Sequence, residues 1–491
     1  MAGMSEDRFE RLWRLWPLWC LLPLLGWWLT GLTDLDEGFY GAVAADMLRR
    51  GDWITPSISG VPWFEKPILI YWFAIPFIHL FGEDIGPRLP AVLATLASAW
   101  LIFHFGRAWF GEREGRMGAL VFSGSLVSVA LGRMMLTDAL LVASLIGCFG
   151  LFWESLRLNR PNLRIGAAAC LGLAVLAKGP VGGLFFLLIA GIVYWRMPSM
   201  RPAYRGGWLL SILAFFVVVS TWYLPCWLIN RDEFVQKFLI EQNLGRFAGG
   251  DLAHRVPWFL HPIYFPVVAA VGLLPWLPSA WRQGLFSPIV AEDSQALSRR
   301  FLWIWALTIM IFFTISGSKL PHYGAPFIPP LAMLAGFVLV RDLQPDRLIR
   351  GAVAWSAFVL VLANVGFWIA YDSQHGRELH GVAREMRRAE EPNLVLYRFG
   401  RTERKVEIQL EMNETSRPSI HFYLRRPALK TSALAEIRDL PSDFRLMTPQ
   451  GRFTSEDQAE LERAGWTLTQ MRQGRFEEWS GRRPTSAPAG G

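Results

Sequence analysis

The chain reads as an α-helical polytopic membrane protein carrying a small C-terminal α/β domain, and three observations point there. Apolar residues make up 52% of its 491 positions, above the usual share of a soluble domain. Runs long enough, or nearly so, to cross a bilayer recur from residue 12 to residue 371. Past Tyr371 the long runs stop, and short segments of soluble character follow.

Taken in order, Arg8, Arg11 and Arg14 precede an apolar run over 12–32 that lacks a convincing small-residue cleavage site. It predicts a retained first helix with its N-terminus in the cytoplasm. Further spans are predicted around 89–110, 117–132, 138–153, 165–177, 181–195, 208–229, 263–281, 301–316, 325–341 and 351–371, for about 11–13 transmembrane helices in all. Alternate connections carry arginine clusters: Arg107/Arg113/Arg116, Arg157/Arg160/Arg164, Arg196/Arg201/Arg205, Arg282/Arg299/Arg300 and Arg341/Arg347/Arg350. The positive-inside bias makes that side cytoplasmic. The loops 33–88 and 230–262, the turns near Arg133, Lys178 and 316–324, and the tail then face outward. The piece 67–82 is expected to be interfacial or re-entrant, because counting it as a span inverts every later loop against the arginine signal. The expected division is a membrane domain over 1–371 and a soluble α/β domain over 372–491. In the latter, 376–390 reads as a helix and 394–398, 420–424 and 444–447 as strands. The Pro/Ser/Ala/Gly end after Arg482 reads as disordered.

The net charge of +8 is spread along the chain and not gathered into a basic stripe, which excludes a nucleic-acid footprint. Cys20, Cys148, Cys170 and Cys226 sit in apolar segments without a Cys-x-x-Cys pair and read as small core residues. There is no Gly-rich phosphate loop, zinc-binding His pair or nucleophile elbow.

The polar residues that matter lie in the outward loops. Asp36-Glu37 opens a helical stretch in which Phe39, Val43 and Met47 share a face before Gly51. The plain reading is an N-cap with an acidic first turn; the functional one is a carboxylate aimed into an outward cavity. In Trp63-Phe64-Glu65-Lys66-Pro67 the lysine could snorkel, but the proline holds Lys66 extended and so orients its ammonium, which suits a lipid phosphate. Asp138, in Leu136-Thr137-Asp138, lies at the outer end of a span. It reads either as a cap or as a functional charge. Lys178 precedes Gly179-Pro180 in a tight turn. Ser318-Lys319-Leu320-Pro321-His322-Tyr323 gathers a cation, an imidazole and a phenol, or is an ordinary polar turn. The 230–262 loop adds Glu241, Arg246, His254, Arg255 and His261, among which spacing selects nothing.

Asp36-Glu37 after the first span, Gly51-Asp52-Trp53-Ile54-Thr55-Pro56, Phe64-Glu65-Lys66-Pro67, Leu136-Thr137-Asp138 and Ser318-Lys319-Leu320-Pro321-His322-Tyr323 together resemble the aminoarabinose lipid A transferase family. That family is related to the protein O-mannosyltransferases. The match in order and spacing runs over about 10–340. The resemblance implies a C-type glycosyltransferase fold in the bacterial inner membrane, a polyprenyl-phosphate sugar donor of the undecaprenyl type, and lipid A or another glycolipid as acceptor. It implies Asp36 as catalytic carboxylate, Asp138 in the same cavity, and Glu65, Lys66 and Tyr323 at the donor phosphate. Lys319 and Arg246 are candidate helpers for Lys66, and Glu37 is a further candidate in the substrate-binding set. Trp63 departs from the tyrosine that relatives often carry there. No cofactor is required by the sequence, although some relatives bind a divalent cation near the residue matching Glu65.

The expected chemistry is sugar transfer with inversion, aminoarabinose being the leading sugar and galacturonate, mannose or other hexoses the alternatives. The acceptor could equally be core oligosaccharide or protein. A transporter or flippase shares the many spans, but usually holds its charges near the bilayer midplane and often shows inverted repeats. Here the charges gather at one face. A non-catalytic scaffold of the same fold would bind the donor without releasing polyprenyl phosphate.

Overall fold

Hydrocarbon offers no water to backbone amides, so the apolar runs can cross it only as helices, and helices dominate the computed structural model. The structure describes residues 11, 13–34, 36–245, 256–342, 345–374, 376–391, 393–399, 418–426 and 428–483. The chain forms two compact units. One comprises Met1–Thr30, Trp53–Thr55 and Trp63–Ile369, and the other Gly31–Asp52, Pro56–Pro62 and Ala370–Gly491.

In the first unit, six helices among the described residues are long and apolar enough to cross a membrane: Leu89–Trp109, Thr137–Arg157, Trp208–Gln242, Ser294–Ile315, Pro321–Arg341 and Arg347–Ser373. The pair Glu112–Ser123 and Leu126–Gly132, bent by 66°, makes a seventh if read as one broken span. The predicted spans at 165–177 and 181–195 form helices of 16 residues each, Leu163–Lys178 and Val181–Arg196. That at 263–281 splits into His261–Gly272 and Leu277–Arg282. The first predicted span requires correction. Trp13 and Arg14 are helical, a turn at Leu15 precedes the α-helix Trp16–Leu21, a tight turn covers Leu22–Leu24, and Gly26 is left-handed at φ 91°. Pro23 lacks an amide and its ring crowds the preceding turn, so an unbroken helix over 12–32 does not form. The 67–82 piece forms the helix Leu69–Ile85, interrupted at Gly82 with φ 76°.

Two helices face outward along most of their length, exposing Leu209, Phe216 and Val217 on one and Phe358, Val361 and Trp368 on the other. Such faces fit lipid and not water. By contrast, the Thr137–Arg157 span is 83% buried, packed against Leu163–Lys178 and Leu89–Trp109. Close approach rests on glycine: a Cβ at Gly336 would stand 2.5 Å from the Gly118 amide nitrogen, as in membrane interfaces built on small residues. Cys20, Cys148 and Cys226 are buried and all four cysteines are free.

The second unit is built around a five-stranded mixed sheet of order β2-β1-β3-β5-β4, with β1 Asn393–Tyr397, β2 Leu429–Thr431, β3 Phe444–Pro449, β4 Thr467–Gln473 and β5 Phe476–Arg482. β1 pairs parallel to β2 and β3, and β5 antiparallel to β3 and β4. Its core joins Val395, Tyr397, Ile437, Phe444, Leu446, Leu461 and Trp466. The predicted helix at 376–390 forms as Gly376–Arg388. The segment 420–424 corrects its prediction: Ser419–Leu424 is helical, every side chain in it is buried, and it packs on the helix Asp36–Arg50. That contact also moves a boundary, since 31–52 and 56–62 cluster with the C-terminal unit and not with the membrane helices. The end after Arg482 lies outside the described residues beyond Arg483.

Candidate active site

Asp138 opens the helix Thr137–Arg157 and is 3% exposed. An isolated carboxylate there would be prohibitive, and the partner is supplied by the adjoining helix. Leu163–Lys178 ends where Gly179 turns to φ 86° before Pro180, a break that only glycine makes cheaply. Its last residue, Lys178, pairs with Asp138 Oδ1. The same ammonium lies 5.0 Å from the centre of the Tyr323 ring, within cation–π range. Tyr323 in turn stacks on Phe313 at 5.4 Å and meets His322 edge-on at 4.9 Å. Asp138 also feels the charges of His322 and Lys66. Lys66 sits in the bend just before the helix Leu69–Ile85. One carboxylate thus faces two ammoniums and an imidazole, a surplus suited to an anion.

Lys319 does not join this surplus. Its ammonium is buried and donates to the carbonyls of Phe313, Thr314 and Ser316 at 3.2, 3.0 and 2.6 Å. These are the orphan acceptors at the end of Ser294–Ile315, so the lysine caps that helix. Arg246 lies outside the described residues, as do His254 and Arg255. The pairing of Lys178 with Asp138 was not legible in the sequence. Its signal was a lysine closing an apolar run immediately before Gly-Pro.

In the second unit, the helix Asp36–Arg50 separates the two acidic neighbours. Glu37 is fully buried, and its Oε2 accepts from the Thr33 amide and hydroxyl at 3.1 and 2.6 Å, which closes the helix start in the manner of a capping box. Asp36, one residue earlier, is exposed. Asp34 accepts from the amide and hydroxyl of Ser419, both at 2.9 Å, tying the entry of this helix to the tail. Among the described residues no three His, Cys, Asp or Glu side chains gather where they could hold a metal.

Residues 65–224 match the dolichyl-phosphate-mannose-protein mannosyltransferase family. An undecaprenyl phosphate-alpha-4-amino-4-deoxy-L-arabinose arabinosyl transferase of Pseudomonas fluorescens is 29% identical over 73% of this chain and 62% of its own length. The corresponding Edwardsiella ictaluri protein is 30% identical over 67% of this chain and 61% of its own. The chain thus spans about three fifths of the length of the curated relatives it matches. The crystal structure of ArnT from Cupriavidus metallidurans bound to undecaprenyl phosphate shares the fold at TM-score 0.72, with 19% identity over 97% of this chain and 98% of that one. An archaeal oligosaccharyltransferase from Archaeoglobus fulgidus follows at 0.50, with 10% identity over 99% of this chain and 76% of that one. With its many apolar helices, the chain thus shares the fold of ArnT, matches the mannosyltransferase family over residues 65–224, and is similar in sequence to the aminoarabinose transferases over about three fifths of their length.

Proposed function

We propose that this protein moves a sugar, with aminoarabinose as the leading choice, from a polyprenyl phosphate of the undecaprenyl type to lipid A or a related glycolipid. The observation that carries the proposal is the buried Asp138–Lys178 pair, with Tyr323 over the ammonium and Lys66 and His322 in electrostatic reach. The relatives' arabinosyl transferase names and the arginine pattern support the substrate class and a bacterial inner-membrane location. The same pattern supports a cytoplasmic N-terminus and a periplasmic C-terminal domain.

In the proposed step an acceptor oxygen forms a bond to the anomeric carbon while the bond from that carbon to the donor phosphate oxygen breaks, with inversion. Polyprenyl phosphate leaves carrying the extra negative charge. Lys66 and Lys178 offset that charge in a site shielded from water, where fixed charges act most strongly. Asp138 keeps Lys178 in place, and Tyr323 holds the phosphate region. Glu65 flanks Lys66 and helps set its direction. If the acceptor is a lipid A phosphate it is already anionic, and Asp36 orients it; a hydroxyl acceptor would need Asp36 as base. Transfer compared before and after chelation decides whether a divalent cation near Glu65 takes part.

The test is the full-length protein in lipid nanodiscs supplied with undecaprenyl-phosphate aminoarabinose and lipid A. Mass spectrometry should show lipid A gaining the sugar and free undecaprenyl phosphate appearing in equal amount. Donor binding without release of undecaprenyl phosphate would defeat the proposal. A panel of lipid-linked hexoses and hexuronates in the same assay separates the sugars.

A further inference from the structure

The second unit holds a separate open cleft lined by Asp46, Arg49, Ser59, His421, Arg425 and Arg426 together with small apolar residues. Three guanidiniums face a single carboxylate, and that carboxylate is already engaged. Asp46 accepts from the Ser57 hydroxyl at 2.6 Å and the Gly60 amide at 3.0 Å, and it pairs with Arg49. Opposite it, His421 is 8% exposed and its Nδ1 has no hydrogen-bond partner. Nε and Nη2 of Arg426 are buried and equally unpartnered. Buried donors left in that state are costly to the fold.

Backbone conformation adds an independent sign. Arg425 closes the helix Ser419–Leu424 at φ 62°, ψ 18°, a place usually taken by glycine. A side chain there is strained. Such strain persists where the side chain itself is wanted, and the guanidinium is held 5.4 Å from the centre of the Phe422 ring beside the cleft.

The geometry points to a phosphomonoester-binding site, with Arg49, Arg425 and Arg426 gripping the anion and His421 donating to it. Guanidinium forks match phosphate oxygens two at a time, and a net surplus of positive charge suits a dianion better than a carboxylate. The floor of the cleft admits little more than a water-sized group, so the phosphate sits at the mouth and one oxygen reaches His421. The ligand is either a free phosphomonoester or the phosphate of a lipid headgroup.

The test uses full-length protein in phosphatidylcholine nanodiscs, titrated with inorganic phosphate while thermal unfolding is followed; a ligand that binds only the folded state raises the transition. Arg425→Gly keeps the left-handed turn without strain, and Arg426→Gln keeps the bulk, so both variants should fold. The wild type should be stabilised by phosphate, and the double variant should need about tenfold more phosphate for the same shift, the loss of about 1.4 kcal/mol. If nanodiscs containing phosphatidic acid abolish the response to added phosphate in the wild type alone, a lipid headgroup is the source. A full response in those nanodiscs identifies a free phosphomonoester. Equal responses in wild type and variant, or none in either, overturn the site. Sugar transfer is not read in this titration, so its outcome is independent of the transferase proposal.

Discussion

Asp138 and Lys178 are each costly to bury alone and tolerable together, so their substitutions should not add. Removing one member of a buried pair typically costs about 3–5 kcal/mol, whereas replacing both can be nearly neutral. Lys178→Met should therefore lower thermal stability sharply, and adding Asp138→Asn should restore much of it. A double variant as unstable as the sum of the singles would show that the two side chains do not act as a pair. Turnover should stay low in both variants that lack Lys178, because one of the two ammoniums that offset the leaving phosphate is gone. His421 gives a second residue-scale expectation. Burial pushes its imidazole down to about 4, with Asp46 pulling the other way, so it is neutral when folded and protonates below 6.5 when unfolded. Arg49, Arg425 and Arg426, which line the same cleft, also disfavour its protonation. The unfolded chain then holds the extra proton between those values. Stability should be undiminished above pH 6.5, decline as pH falls toward 4, and change no further from this residue below it. Hydrogen exchange of the 419–426 segment should follow that profile, and His421→Asn should flatten it.

At the scale of elements, the start of the Asp36–Arg50 helix divides labour between neighbours. Glu37 is committed to Thr33 and Asp36 is exposed. Glu37→Gln should cost about 1 kcal/mol of stability and leave most turnover. Asp36→Asn should leave the melting temperature unchanged and cut turnover about 10²–10⁴-fold. Near-normal transfer by the Asp36 variant would remove it from the chemistry. Helix packing gives a further check. Gly336 meets the backbone of Glu112–Ser123 with no room for a Cβ, so Gly336→Val should force the helices apart. The measurement is the yield of monodisperse protein after detergent extraction, which should fall steeply; a well-folded variant would mean the interface is looser than its glycines suggest. The runs that read as spans were legible because hydrocarbon demands long apolar helices. The break at Pro23 and Gly26 was not, since proline and glycine are tolerated in membrane helices when neighbours satisfy the backbone. Segment 420–424 misled for a related reason. Its apolar and aromatic residues suit a strand, but all of them are buried in the fold, which removes the alternation that tells strand from helix.

At the scale of the molecule, the arginine clusters predict that loops 33–88 and 316–324 and the C-terminal unit share one side of the membrane. Single cysteines at exposed positions such as Asp84, Arg438 and Asp439 should be labelled by an impermeant maleimide from the periplasm of intact cells, and one at Arg160 only after permeabilisation. The opposite pattern would invert the topology and place the proposed chemistry on the wrong leaflet. By itself the sequence determined that the chain is a membrane protein, where its main apolar helices fall, which outward loops hold the polar residues, and which family those motifs resemble. Each of these follows from local composition and spacing. Tertiary structure alone decided that Lys178 answers Asp138, that Lys319 is consumed as a cap, and that the helix bearing Asp36 belongs with a tail whose Ser419 is 385 residues from Asp34. Partners so far apart in the chain are chosen by packing and by the cost of leaving a buried charge or carbonyl unpaired, and neither quantity exists until the fold brings them together.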